Sequence, residues 1–239
     1  MTTPEWMERT ALLMGEEKME RIRRAHVLVV GAGGVGAYAA EMLVRAGVGR
    51  LTLWDADRVQ PSNINRQLCA LHSTVNENKV DILARRFKDI NPELELETQA
   101  AFLEEAQAGP LLDARHYDFV VDAIDTIAPK CALLIEAMKR RVRIVSSMGA
   151  GAKTDITQVR FADLWDTYHC GLSKAVRTRL KRAGMHRHPL PVVFCTQQAD
   201  PKAIIRVEGE RNKKTTTGTV SYMPAVFGCY LAQYVIDRL

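Results

Sequence analysis

Gly31, Gly33 and Gly36 stand in the spacing G-x-G-x-x-G directly behind the β-branched run H-V-L-V-V. A strand, a tight glycine turn and a helix in that order point backbone N–H groups and the positive end of a helix at a phosphate. Asp55 follows nineteen residues after Gly36, at the end of a second apolar run. A carboxylate there can accept hydrogen bonds from ribose hydroxyls. These groups describe a nucleotide site, although the glycines alone would serve a nicotinamide dinucleotide equally well. The next segment, D-A-D-R-V-Q-P-S-N-I-N-R-Q from Asp55 to Gln67, is crowded with polar groups for which hydride transfer has no obvious need.

The elements that must hold these groups are legible as periodicities. Short apolar runs predict strands at 26–30, 50–54, 94–98, 119–123, 142–146, 156–161 and 192–195. Helical spacing predicts helices over 34–46, 78–90, 129–139, 172–182 and the C-terminal run 225–239. Strands alternating with helices give an α/β fold of Rossmann type, a mostly parallel sheet with flanking helices. The chain reads as one domain over 1–239, with a nucleotide-binding half at about 25–150 and a substrate or partner half at about 151–239. Residues 209–219, G-E-R-N-K-K-T-T-T-G-T, lack apolar anchors and read as a mobile loop.

Composition narrows the class. With 239 residues and 47% hydrophobic composition the chain can bury a large core. The opening residues carry Glu5 and Glu8 and form no apolar stretch, unlike a secretory signal or transit peptide. No run approaches the ~20 apolar residues that span a bilayer, so stable membrane insertion is not expected. Five widely spaced cysteines without a C-x-x-C pair suit a reduced cytoplasm and argue against a zinc ribbon. The net charge of +5 is unevenly placed: the segment 174–187 holds Lys and Arg but no acid. Clustered cations suit a polyanion, because binding releases counterions from its phosphates, although they also serve as ordinary solvated faces.

Taken together, the glycine loop G-A-G-G-V-G, the D-x-D at Asp55 and Asp57, and S-N-I-N-R-Q at 62–67 resemble the family of ThiF, MoeB and the ubiquitin-activating enzymes. The resemblance implies ATP with Mg2+, activation of a carboxylate as an acyl-adenylate, and release of pyrophosphate. Carried over, it places Gly31, Gly33, Gly34, Gly36, Asp55, Asp57, Asn63, Arg66, Gln67 and Lys79 around ATP, with Arg66 and Lys79 facing phosphoryl oxygens that gain charge during the reaction. Asp125 matches the Mg2+-binding aspartate, with Asp122 as its competitor. Arg9 resembles an N-terminal arginine that family members insert into the neighbouring subunit's ATP site, which would make the enzyme a homodimer.

Two segments, A-I-D-T-I-A-P-K at 123–130 and S-M-G-A-G-A-K-T-D-I-T-Q-V at 147–159, resemble the tRNA threonylcarbamoyladenosine dehydratase branch of that family. The branch implies ATP-dependent cyclisation of the threonylcarbamoyl group on the adenosine beside the anticodon. It adds a monovalent cation, Na+ or K+, and a cysteine desulfurase or sulfur-acceptor system as a candidate partner. Intramolecular attack enjoys a high effective molarity, so no cysteine nucleophile is required, and Cys195 reads as a buried thiol. Lys174, Arg177, Arg179, Lys181 and Arg182 become candidate tRNA contacts, with Arg211, Lys213 and Lys214 as a second set. Gln197, in V-F-C-T-Q-Q, stands where relatives more often carry an acid. The competing readings are adenylation of the C-terminal glycine of a ubiquitin-like sulfur carrier, a nucleotide-sensing module without turnover, and an NAD-dependent oxidoreductase.

Overall fold

The computed structural model describes residues 3–186, 188–206 and 215–239. In chain order it holds α1 (Glu8–Met14), α2 (Glu16–Arg24), β1 (His26–Val30), α3 (Gly36–Arg45), β2 (Arg50–Trp54), α4 (Lys79–Ile90) and β3 (Glu95–Gln99). These are followed by α5 (Ala108–Asp113), β4 (Phe119–Asp122), α6 (Ile127–Arg140), β5 (Ile144–Ser147), β6 (Val159–Asp163), α7 (Gly171–Arg182), β7 (Pro191–Cys195), β8 (Ile204–Arg206), β9 (Thr215–Thr217) and α8 (Tyr222–Arg238).

Seven strands form one sheet in the order β3-β2-β1-β4-β5-β7-β6. Every pairing is parallel except β6 against β7. β1 and β4 are buried along their whole lengths, as strands covered on both faces must be. One apolar layer sets α3, α4 and α8 against the sheet, with Leu43, Leu83, Phe87, Phe227 and Leu231 inside it. The opposite layer holds residues of α5, α6 and α7, among them Leu111, Leu134, Val176 and Leu180. Burying each such side chain stabilises the fold by about 1.5–3 kcal/mol.

Several elements depart from the sequence reading. Residues 156–158 form a 3-10 turn, because the Asp155 carboxylate accepts the Thr157 N–H and hydroxyl, and the strand starts only at Val159. Thr215–Thr217, read as loop, pairs antiparallel with Ile204–Arg206. The rest of that loop up to residue 214, including Arg211, Lys213 and Lys214, lies outside the described residues. α8 begins at Tyr222, and Pro224 fits its first turn, where an N–H has no helical partner to lose. Among the described residues no helix is long and apolar enough to cross a membrane.

Candidate functional site

The chain leaves β1 for β2 on one side, while β4 lies on β1's other side, so a crevice opens between the ends of β1 and β4. Gly31 closes β1 at φ +96°, a conformation that L side chains rarely adopt. A Cβ there would stand 2.7 Å from the Ala123 carbonyl oxygen just beyond β4. Gly36 opens α3 so close beneath this turn that a Cβ would collide with the Gly31 carbonyl. Gly33 and Gly34 lie between them, and the 62–67 segment runs alongside: Gln67 Nε2 is 3.8 Å from a Cβ built at Gly33, and the Arg66 carbonyl 3.5 Å from one built at Gly34. Two stretches some thirty residues apart in sequence thus form one wall.

Asp55 follows β2. Its Oδ2 accepts the Ala32 N–H at 2.6 Å and its Oδ1 accepts the Asp57 N–H at 2.8 Å. Burial pushes the Asp55 carboxyl above the usual aspartate range, against the pull of Lys79. Lys79 Nζ sits 2.6 Å from Asp57 Oδ2 and 4.0 Å from Asp55 Oδ1, with only 3% of its side chain exposed. It is also the first residue of α4. A buried ammonium at a helix N-terminus opposes both desolvation and the helix dipole, so the two aspartates are what hold it there.

Asn63 Oδ1 accepts the Gln60 N–H, and the Asn63 carbonyl accepts the N–H groups of Arg66 and Gln67. The Arg66 guanidinium donates to Ser62 O at 2.9 Å and Asn65 Oδ1 at 2.8 Å, which fixes its plane. Two buried polar atoms here have no hydrogen-bond partner: Gln67 Oε1 and Trp54 Nε1. Buried polar groups are nearly always paired, so these two atoms stand out among the described residues. Trp54 was not singled out in the sequence, where an aromatic at a strand end carries no signal beyond packing.

Past β4 the two candidate metal ligands separate. Asp122 is fully buried, its Oδ2 holding Lys130 Nζ at 2.7 Å and Ser146 Oγ at 2.6 Å. Asp125 is exposed in the loop leading to α6. No group of three or more His, Cys, Asp or Glu residues is arranged for a metal among the described residues. A lone exposed carboxylate such as Asp125 is a ligand that Mg2+ can accept, because Mg2+ takes one or two carboxylates and completes its shell with phosphates and water.

Other predicted residues lie elsewhere. Arg9 is exposed on α1, two residues beyond Met7, which packs by Gly47 at the turn between α3 and β2. That is the opposite end of α3 from the glycine loop, so Arg9 does not join the site of its own chain. On α7, Lys174, Lys181 and Arg182 are exposed. Arg177 is committed internally, donating to Thr167 O at 2.8 Å and Leu164 O at 3.3 Å and to the Thr167 hydroxyl. Arg179 pairs with Glu105. Cys195 is buried with Sγ 3.8 Å from Asp155 O. Gln197 Oε1 accepts the N–H groups of Thr154 and Asp155, a role that a carboxylate oxygen would fill equally.

A doubly wound sheet with a glycine loop, an aspartate at the end of β2 and a buried lysine beside it has the form of a nucleotide-binding α/β protein. The ThiF family model matches residues 7–239, and the chain belongs to the ThiF family. It is 37% identical to the tRNA threonylcarbamoyladenosine dehydratase of Bacillus subtilis (strain 168), over 97% of this chain and 93% of that one. It superposes with a TM-score of 0.87 and 31% identity on the E. coli tRNA N6-threonylcarbamoyladenosine dehydratase crystallised with ATP, covering 100% of this chain and 96% of that one. The molybdopterin-synthase adenylyltransferase of E. coli (strain K12) matches 63% of this chain and 60% of its own length, at 34% identity.

Proposed function

We propose that this protein is an ATP-dependent tRNA threonylcarbamoyladenosine dehydratase. The observation that carries this reading is the meeting of glycine loop, Asp55 and Lys79 at the β1–β4 crevice, in a chain that matches the B. subtilis and E. coli dehydratases nearly end to end. The match to the adenylyltransferase stops well short of that.

ATP lies with its ribose on Asp55 and its phosphates against residues 31–36, Asn63, Arg66, Gln67 and Lys79. The threonyl carboxylate attacks the α-phosphorus, the bond to the β-phosphate oxygen breaks, and pyrophosphate leaves. Arg66 and Lys79 stabilise the charge that builds on the phosphoryl oxygens. The neighbouring carbamoyl group then attacks the acyl carbon and displaces AMP, which carries away the oxygen lost as water. Attack within one substrate needs no enzyme nucleophile, in keeping with the burial of Cys69, Cys131, Cys170 and Cys195. Burial also pushes the Cys131 thiol up to about 11, far from a reactive thiolate.

Asp125 would hold Mg2+, since Asp122 is paired with Lys130, and the ion would supply positive charge to the phosphates. The enzyme is a homodimer in which Arg9 completes the partner's site. Leu12 and Leu13 on the same helix are 87% and 83% exposed, an apolar surface that suits such an interface. Its place of work is the cytoplasm, where tRNA is modified. The same family resemblance brings a monovalent cation and a sulfur-acceptor partner.

The test is mass analysis of tRNA nucleosides after incubation with ATP and Mg2+. The expected product is threonylcarbamoyladenosine lighter by one water, with AMP and pyrophosphate formed in equal amounts. Pyrophosphate exchange stimulated by a Gly-Gly-ended carrier protein and not by tRNA would replace this reading with sulfur-carrier adenylation.

A further inference from the structure

A groove of about 830 Å³ runs between α6 and α7. The nucleotide crevice does not explain it. Its walls are apolar, with Ile127 and Ile135 from α6, and its α7 side carries Lys174, Thr178, Arg179 and Arg182. Those α7 positions recur at helical spacing, so one face of the helix lines the groove. Arg177 and Lys181 do not line it. The groove also has a fixed position relative to the site: Ile127, at one end of its lining, is the first residue of α6, two residues after Asp125.

We propose that this groove seats the unpaired anticodon-loop nucleotides flanking the modified adenosine; the proposal rests on the reading of the chain as a tRNA-modifying enzyme. An adenosine whose side group must reach the α-phosphate cannot stay stacked between its neighbours. Its neighbours are unpaired loop nucleotides, and unpaired RNA bases bind where their faces meet apolar walls or guanidinium planes while their phosphates meet cations. The α6–α7 groove offers both, beginning beside the metal-binding loop. Arg179 is held by Glu105 on the rim, a surface pair of the kind worth little by itself, which a phosphate can displace. The structure therefore divides the basic residues of α7: Lys174, Arg179 and Arg182 face RNA, and Arg177 braces the helix.

The experiment titrates a labelled anticodon stem-loop carrying threonylcarbamoyladenosine against the full-length protein. Thr178→Trp fills the groove without changing charge, and its site is an exposed helical position. The double variant K174E/R182E inverts the rim, and R21E changes an exposed charge on α2 as a control. T178W and K174E/R182E are expected to raise the Kd by about tenfold or more, with a shallower salt dependence for the double variant. R21E should stay within twofold, and the Kd for ATP and the melting temperature should hold in all three. A stem-loop Kd within twofold of wild type in both groove variants overturns the proposal and would turn the groove over to an acidic protein partner. Wild-type protein that binds the stem-loop in the groove but never yields the cyclised nucleoside would instead overturn the proposed function and leave the groove assignment standing.

Discussion

Lys130 and Asp122 face one another at 2.7 Å with neither side chain reaching solvent. The ammonium also donates to Ile124 O at 3.0 Å and Ser147 O at 2.8 Å, so one buried cation ties the end of β4, the Asp125 loop and the end of β5 together. Removing one partner of such a pair leaves an uncompensated charge, which costs about 3–5 kcal/mol. K130M is expected to lower unfolding free energy in urea by that amount, and K130M/D122N to recover part of it. The folded fraction of K130M should need more Mg2+ for half-maximal AMP formation, because Asp125 has lost the anchor beneath it. An unchanged Mg2+ requirement would mean that the pair is structural only.

Lys79 pairs with Asp57 at 2.6 Å and lies 4.0 Å from Asp55, and methionine could fill the same buried space. K79M should slow AMP formation by about 10²–10³-fold, the usual effect of losing one preorganised transition-state contact. Stem-loop affinity should stay within twofold. Single-turnover kinetics at saturating ATP would expose an error here, since a normal rate would mean that Lys79 serves only its two aspartates.

Sequence reading reached the doubly wound sheet because β1 and β4 are uniformly apolar and the glycines punctuate them. Asp55 stood out through its spacing behind the glycine loop, while Lys79 came only with the family resemblance. Sequence reading chose Asp125 over Asp122 through the family motif alone, since both are acids near one strand end, and the physical difference between them is the burial of Asp122 beside Lys130 and Ser146. Trp54 was invisible for a like reason: the want of a hydrogen-bond partner is a property of three dimensions. β9 was missed because T-T-T beside lysines has no alternation, and its pairing comes from Ile204–Arg206.

Arg177 shows the same limit on a charged residue. Its helix position suggests a solvated cation, yet its guanidinium stitches the Leu164–Asp166 turn and Thr167 to α7. R177A should destabilise the fold by about 1–3 kcal/mol, because two buried carbonyls lose a charged donor. It should raise the stem-loop Kd less than K174E/R182E does. Urea unfolding and the titration together decide this, and a stable R177A protein with abolished RNA binding would return Arg177 to the RNA surface.

Glu41 supplies a pH test of the α3–α4 packing. Burial raises its pKa, but Arg86, with bonds at 2.6 and 3.0 Å, and Arg45, at 2.9 Å, outweigh that and hold the carboxyl below the ordinary value of 4.5. A carboxyl with a depressed folded pKa contributes stability that is present above its unfolded value and lost as pH falls through the folded one. E41Q should therefore be less stable than wild type by about 1–3 kcal/mol near neutral pH. The gap should narrow steadily below about pH 4.5 as the wild-type carboxyl takes up its proton. Urea titrations of both proteins across that range check the slope, and a gap independent of pH would assign the effect to packing.

Arg9 decides between a site made by one chain and a site made by two. It sits near the turn between α3 and β2, away from the glycine loop of its own chain, so any contact with ATP must come from a second copy. R9A and D125A should each slow AMP formation by at least about tenfold while leaving the fold intact. Coexpressed, they give mixed dimers in which one site pairs an intact Asp125 with the partner's intact Arg9, while the other site lacks both. With random pairing half the dimers are mixed and each holds one good site, so about a quarter of wild-type activity should return. If Arg9 acted within its own chain, each site of the mixed dimer would lack one of the two residues and no activity would return. The coexpressed pair thus separates the arrangements by a signal that neither parent variant can produce.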